Sequence, residues 1–585
     1  MANSNQAPAP ARVHLTYEAL VGDHREEREL PLKLLVLGDF TGRIDDTPVA
    51  GRRILNIDRD SFDQVLAGLQ VCLAVTVENC LATTPAVLDV ELKIHQLDDF
   101  NPGRLALQIP ALRALIAQRE RWTLAKTAAV EADVKTADCK TSHKTADHKT
   151  ADLDIAELDQ RLGKQLDAVL HHPAVQRLEA AWRALALLVT RTDVRENTRI
   201  CVLNVARDDL QADFEDAPET VRSGLYHHVY ATEYGQFGGE PYAAIIADYA
   251  FGPSPRDLAL LQRVAAVAAM AHAPFIAAAL PSFFGFKSHA QLPDLADVES
   301  LWSGPQFAGW RSFRASDDAR CVALALPRFL LRAPYGPATA PVRDFPYTES
   351  VHRDHAAWLW GNPAFAFATR LTASFATTRW CPDVIGPHAG LVAGLPHLTF
   401  AALGSRELRI PTECVISERL EFALSNAGFL TLAVRPGGAD ACFFSAPSCQ
   451  SNDSNVRGDA AVNHRLGGQL PYLLIANRLA HYLKVIQREQ LGSFKQRGDL
   501  ERELGDWIGR YVVDMDEPEL AVRGTHPLRS ARVIVEDVAG NAGWYRVALQ
   551  VRPHLKHLGT AFTLSLVGKL DIEQPSTTSA KGVRA

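Results

Sequence analysis

The sequence predicts an α/β (α+β) protein whose chain ends in antiparallel strands. Three observations predict it. Short runs apolar on both faces, such as LKLLVLGDF (32–40), ICVLNV (200–205) and YAAIIADYAF (242–251), read as buried strands. Helical stretches with apolar residues three and four apart lie between them. Near the C-terminus, ARVIVEDV and WYRVALQVRPH flank the turn AGNAG, and FTLSLVGKL follows, which makes a hairpin and a third strand.

Taken in order, residues 1–10 carry neither period and are expected to be disordered. Val13, Leu15 and Tyr17 share one face of a strand. After the buried strand at 32–40, IDRDSFDQVLAGL (57–69) has helical spacing, and Leu88, Val90, Leu92 and Ile94 alternate as in a half-buried strand. Leu105, Ile109, Leu112 and Ile116 set one apolar stripe along a helix and close a small unit spanning 11–126. Residues 127–154 hold four lysines, six acidic residues, no aromatic and the repeat KTADCKTSHKTADHKTAD, too little apolar surface to offset ordering, so the segment reads as a linker. A second region, 155–571, opens with a helical hairpin whose stripes are Ile155, Leu158, Leu162, Leu166 and Val169, then Val175, Leu178, Trp182, Leu185 and Val189, with HHP (171–173) between them. The uncharged stretch 264–284 is cut by Pro274 and Pro281 and reads as a buried helix followed by a buried strand rather than a membrane span. In DLERELGDWIGRYV (499–512), Asp499 is the expected N-cap. Leu500, Leu504, Trp507, Ile508 and Tyr511 form the inner face of that helix, opposite Arg502, Glu503, Asp506 and Arg510. Residues 572–585 are expected to be a disordered tail.

The bulk composition narrows the function. A chain of 585 residues, 47% hydrophobic and with net charge −7, has core enough for several domains and no basic stripe for nucleic acid. Nine scattered cysteines without a C-x-x-C pair, and an N-terminus without an apolar run, point to the cytoplasm. Motifs that carry chemistry are few. The loop after Gly38 lacks the second glycine, lysine and Ser/Thr of a phosphate loop, and no nucleophile elbow or H-E-x-x-H helix occurs. Cys139, His143 and His148 are three potential zinc ligands on an unpacked tract where a structural site needs four, and His171–His172 sit where a helix should be capped. No catalytic, cofactor or metal site is assigned.

Both sides of the repeat resemble known proteins. LPLKLLVLGDFTGR (30–43), NIDRDSFDQVLAGL (56–69) and DDFNPGRLALQIPALRALIAQRERW (98–122) are similar to the small subunit of the type VI secretion contractile sheath, TssB or VipA. QLDAVLHHPAVQRLEAAWRAL (165–185), FEDAPETVRSGLYHHVYATEYGQFGGEPY (214–242), LWGNPAFAFATRLTASFATTRWCPDVIGP (359–387), LPYLLIANRLAHYLKVIQREQLGS (470–493) and WYRVALQVRPHLKHLGTAFTLSLVGKLD (544–571) are similar to the large subunit, TssC or VipB. The resemblance implies a phage-tail-like sheath fold, a small N-terminal sheath domain joined to a larger multi-layer sheath region. It also implies a structural role: self-assembly in sixfold rings as a helical sheath around an Hcp tube, on baseplate proteins, without membrane insertion.

Several residue roles follow from that resemblance. Leu105, Ile109, Leu112 and Ile116 would contact the large region. Val13, Leu15 and Tyr17, or Tyr545, Val547, Leu549 and Val551, would cross between protomers or else close their own sheet, and the face bearing Arg502, Glu503, Asp506 and Arg510 would grip the tube or else face solvent. The large subunit's usual N-terminal extension is missing or reduced to 127–154, so engagement by the ATPase ClpV is not carried over. A sheath of another phage-tail-like particle, separable by copurification with Hcp, and a nucleotide-binding enzyme resting on GDFTGR are the alternatives. Replacing Cys139, His143 and His148 together by serine is expected to leave the melting temperature unchanged with and without zinc; a zinc-dependent drop confined to the parent protein would restore the metal reading.

Overall fold

LKLLVLG has an apolar side chain at nearly every position, which suits a strand covered on both faces, and the fold places it accordingly. The computed structural model describes residues 12–569 apart from single residues and short stretches, the longest being 136–143, 452–466, 490–496, 538–544 and 555–563. The strands of the N-terminal part are β1 (Tyr17–Val21), β2 (His24–Arg28), β3 (Leu32–Gly38), β4 (Ile54–Ile57), β5 (Val71–Glu78) and β6 (Val87–Ile94), with helices α1 (Phe62–Gly68), α2 (Pro102–Gln108) and α3 (Pro110–Lys135). Next come α4 (Lys144–Leu170), α5 (Pro173–Thr190), β7 (Thr198–Asn204), α6 (Arg207–Asp216), β8 (Ala244–Phe251), α7 (Pro255–Ala271), β9 (Phe275–Ala279) and β10 (Val322–Leu326). The chain continues through α8 (Pro363–Thr378), β11 (Leu391–Val392), α9 (Glu418–Asn426), β12 (Phe429–Val434) and β13 (Ala441–Phe443). It ends with α10 (Leu470–Glu489), α11 (Arg497–Gly509), β14 (Leu528–Asp537), β15 (Tyr545–Pro553) and β16 (Leu564–Lys569).

A nine-stranded sheet has the order β11-β13-β12-β10-β9-β8-β3-β7-β4. Strands β7, β3, β8, β9, β10 and β12 run parallel, and β4, β13 and β11 pair antiparallel at the two margins. β3 lies between two strands of the second region: Leu34 pairs in register with Ile200 on one side and with Ala244 on the other. The small unit expected over 11–126 thus contributes its strand β3 to a sheet made mostly by the second region. The predicted boundary falls inside the crossover from β3 to β7, and residues from both sides of it share one apolar core. Crossovers between neighbouring parallel strands are normally short helical connections; here the connection carries β4, the β5–β6 hairpin and α1 to α5.

Other differences have local causes. The helix expected over 57–69 begins at Phe62, because the Asp58 carboxylate accepts from the Asp60 and Ser61 N–H groups and holds a turn, while Ile57 stays in β4. The stripe from Leu105 to Ile116 spans two helices: Ile109 is extended (ψ 114°) and Pro110 opens α3, since proline donates no amide and disfavours helical geometry in the residue before it. The linker over 127–154 is entered by helix from both ends, α3 reaching Lys135 and α4 starting at Lys144, so a long antiparallel helical hairpin replaces most of the expected spacer. Cys139 and His143 lie outside the described residues, as does the side chain of His148. The alternating run Val71, Leu73, Val75 and Val77, not singled out from the sequence, forms β5 opposite β6. The stretch 264–284 contains the end of α7 and then β9, and no described helix is long and apolar enough to cross a membrane.

Because β3 is held on both edges by the second region, residues 1–135 and 144–585 produced as separate chains are expected to copurify. Val36→Asp, which places an unpaired carboxylate in a fully buried position at a cost of several kcal/mol, should abolish the pairing. Halves that fail to associate without the mutation would contradict this topology.

Candidate assembly site

A second apolar core lies apart from the sheet. It joins Val13, Leu15, Tyr17 and Leu30 from the start of the chain to α10, α11 and the sheet formed by β14, β15 and β16. Val13, Leu15 and Thr16 lie outside any strand, so their backbone groups need other partners. Side chains from the far end of the chain supply most of them. Tyr482 Oη donates to Leu15 O at 2.8 Å and accepts from Leu30 N–H at 2.9 Å, and Trp507 Nε1–H donates to Thr16 O at 2.8 Å. Thr16 N–H donates to Tyr511 Oη at 3.1 Å, and Val13 N–H donates to Thr378 O at 2.8 Å. Arg478 Nη2 donates to Leu30 O at 2.7 Å. Burial pushes the Tyr482 hydroxyl up to about 12, so it keeps the proton its bond to Leu15 needs. The sequence places Val13, Leu15 and Tyr17 on one strand; in the fold only Tyr17 belongs to β1, and all three are buried in their own chain.

The outer surfaces of this module are sheet edges and a charged ridge. β16 pairs with β15, and β14 pairs with β15, apart from one isolated bridge between Leu528 and Val512. Val547, Leu549 and Val551 stand opposite Val535, Val533 and Ala531, with Leu549 and Val551 buried, and Tyr545 pairs with Asp537. In α11, Leu500, Leu504, Trp507 and Ile508 point inward, as does Tyr511 just beyond it, while Arg502 and Asp506, and Arg510 just past the helix end, are exposed and Glu503 is half-buried. The helix starts at Arg497, so Asp499 stands in its first turn rather than at its cap and pairs with Arg502 at 3.4 Å.

Leu105, Ile109, Leu112 and Ile116 are all buried in the shared core, and Arg119 on α3 pairs with Asp159 on α4 at 2.6 Å. Groups that the sequence reading missed complete this junction. Gln165 on α4 accepts from Cys80 N–H at 2.7 Å and donates to Glu78 O at 2.9 Å, tying down the end of β5. Trp182 Nε1–H donates to Phe40 O at 2.9 Å. Arg332 is gripped by Glu179 at 2.8 Å and Glu349 at 2.7 Å. Arg183 shares Glu179 Oε1 with Arg332, and His171 and the Tyr335 N–H complete Glu349. The available signal was Glu179, a charge on the apolar face of α5. Burial alone pushes the Glu349 carboxyl up, but the hydrogen bond from His171, the Arg332 guanidinium and the Tyr335 amide hold it down at about 2.

The stretches weighed for chemistry have structural partners. His172 caps α5 by accepting from Ala174 N–H at 3.3 Å, the role its position before Pro173 suggests. In the loop after Gly38, Asp39 Oδ1 accepts from the Thr41 and Gly42 amides, which a phosphate loop would turn towards its ligand, and Phe40 N–H donates to Asn204.

Residues 152–450 match the family described as VipB, EvpB/VC_A0108, tail sheath N-terminal domain. Residues 459–570 match its tail sheath gpW/gp25-like domain, and residues 5–136 match the family described as type VI secretion system, VipA, VC_A0107 or Hcp2. The chain is 39% identical over 418 residues to the type VI secretion system sheath protein TssC1 of Pseudomonas aeruginosa, across 70% of this chain and 84% of that protein. It is 30% identical over 117 residues to TssB1 of the same organism, across 20% of this chain and 66% of that protein. A solved chain from a VipA-N2/VipB contracted sheath of a type VI secretion system matches at 34% identity, over 21% of this chain and 99% of that one, with a TM-score of 0.17.

The depressed Glu349 carboxyl contributes stability that is present above its ordinary 4.5 and is lost as pH falls towards about 2. Glu349→Gln is therefore expected to lower the melting temperature at neutral pH, and the gap to wild type should narrow between about pH 4.5 and 2. A gap that stays constant through that window would remove the carboxylate's charge from the account.

Proposed function

The chain belongs to the type VI secretion system sheath family, carrying small-subunit sequence followed by large-subunit sequence, and is a structural subunit of that contractile sheath; on this premise we propose that one chain forms an entire protomer. The observation that carries this reading is the position of β3. A strand of the small-subunit part is hydrogen-bonded on both edges by strands of the large-subunit part, within a single core. Protomers stack in sixfold rings as a helical tube on a baseplate in the cytoplasm, enclose an Hcp tube, and shorten to drive that tube and its effectors outward. The work comes from the difference between two packings of the same subunits, so the machine runs on rigid-body rearrangement without catalytic group or cofactor.

Neighbouring protomers are linked by strand addition at the outer edges of β14 and β16, where main-chain hydrogen bonds supply affinity. Val13, Leu15 and Tyr17 are occupied within their own chain and belong to that module's core. The tube is gripped by the exposed side of α11, where Arg502, Asp506 and Arg510 alternate in charge and suit a repeating complementary surface. ClpV is left out of this assignment, since the α3–α4 hairpin stands where the large subunit's N-terminal extension would be.

Negative-stain images of the purified chain should show hollow tubes with cogwheel edges; a monodisperse soluble monomer under all assembly conditions would sink the sheath reading for the fused chain. Reversing Arg502 and Arg510 to glutamate is expected to block extended sheaths around Hcp while contracted, empty tubes still form. Extended sheaths that form normally would move the grip elsewhere.

A further inference from the structure

The point where the two cores meet contains a cavity of about 10 Å³, lined by Leu32, Ala243 and Cys381 and by Leu474, Asn477, Arg478 and His481 of α10. A volume of that size holds one water molecule and excludes a polyatomic ion. The three polar residues are themselves buried, with Asn477 only 2% exposed. Two of their donors meet no acceptor among the described residues: Asn477 Nδ2 and Arg478 Nε. Arg478 spends its other nitrogens on Leu30 O, Pro31 O and Tyr482 Oη. His481 Nε2 lies 3.2 Å from Ala271 O and 3.1 Å from His272 O, two acceptors, so that nitrogen carries the ring proton and Nδ1 is left as an acceptor. Burial pulls the His481 imidazole down to about 3, which keeps the ring neutral.

We propose that this cavity binds one ordered water molecule, accepting hydrogen bonds from Asn477 Nδ2–H and Arg478 Nε–H and donating one to His481 Nδ1. Buried donors left without partners are costly, and a water with two to four polar contacts in an enclosed polar niche is part of a fold rather than solvent in passing. Its position gives it a task. Leu32 opens β3, and the two preceding residues are held by the other nitrogens of Arg478, so the water completes the clamp where the chain passes from the second core into the central sheet.

The test is a cryo-EM or crystal structure of the full chain at a resolution that shows ordered solvent, together with melting curves of Asn477→Leu. The expected result is a single density peak within hydrogen-bonding distance of Asn477 Nδ2 and Arg478 Nε, and a lower melting temperature for Asn477→Leu, which expels the water and strands the Arg478 donor. A dry cavity overturns the proposal, as does an anomalous peak at this position after bromide soaking, which would make the occupant a halide. A melting temperature equal to or above wild type also overturns it, because in a dry niche leucine would only remove an unpaired donor. If Asn477→Leu does not fold, the density in the parent protein decides.

Discussion

Everything else in this structure depends on the backbone ladder that holds β3 between β7 and β8. Seven consecutive residues of β3 are in register with β7, and four of them are also in register with β8. A central parallel strand has both edges bonded and both faces covered, so withdrawing it exposes backbone groups and apolar side chains together. Loss of this one strand would split the sheet at its middle. The association of the small-subunit and large-subunit parts is therefore a folding event, and the chain that joins them makes that event unimolecular.

The long crossover from β3 to β7 explains why joining the two parts is structurally simple. α3 and α4 run antiparallel, braced by Arg119 and Asp159, so the end of one part lies beside the start of the other. Close ends make a short connection cheap in loop entropy. The buried Glu179–Arg332–Glu349 group then fixes α5 against the loops that follow β10, and its charges are acceptable there because each carboxylate has more than one donor.

The second core ties the chain's beginning to its end by a different device. Instead of a strand ladder, the hydroxyls of Tyr482 and Tyr511, the Trp507 indole and the Arg478 guanidinium take up the backbone groups of residues 15, 16 and 30. Side-chain bonds of this kind fix a segment without occupying a sheet edge. β14 and β16 flank β15 in the three-stranded sheet, and the charged side of α11 lies on the same module.

Periodicity alone determined much about this protein. The doubly apolar runs of β3, β7 and β8, the stripes of α4, α5 and α11, the terminal hairpin of β14 and β15 and the cap at His172 are local, because each follows from side-chain spacing or from one residue's effect on its neighbours. The long matching stretches on either side of the KTAD repeat carried the family. Tertiary structure decided the rest. A continuous apolar run states that a strand is covered on both faces and says nothing about which strands flank it, so the merging of two expected domains into one sheet was invisible in the sequence. Likewise, apolar spacing over 105–116 could not show the break at Ile109, and the polar composition of 127–154 hid the two helices that extend into it. The polar residues that hold the junctions, Gln165, Glu179, Glu349, Arg478 and Tyr482, each bond at least one group between 87 and 467 positions away. Their roles exist only once folding has brought those groups within about 3 Å, a distance no local pattern encodes.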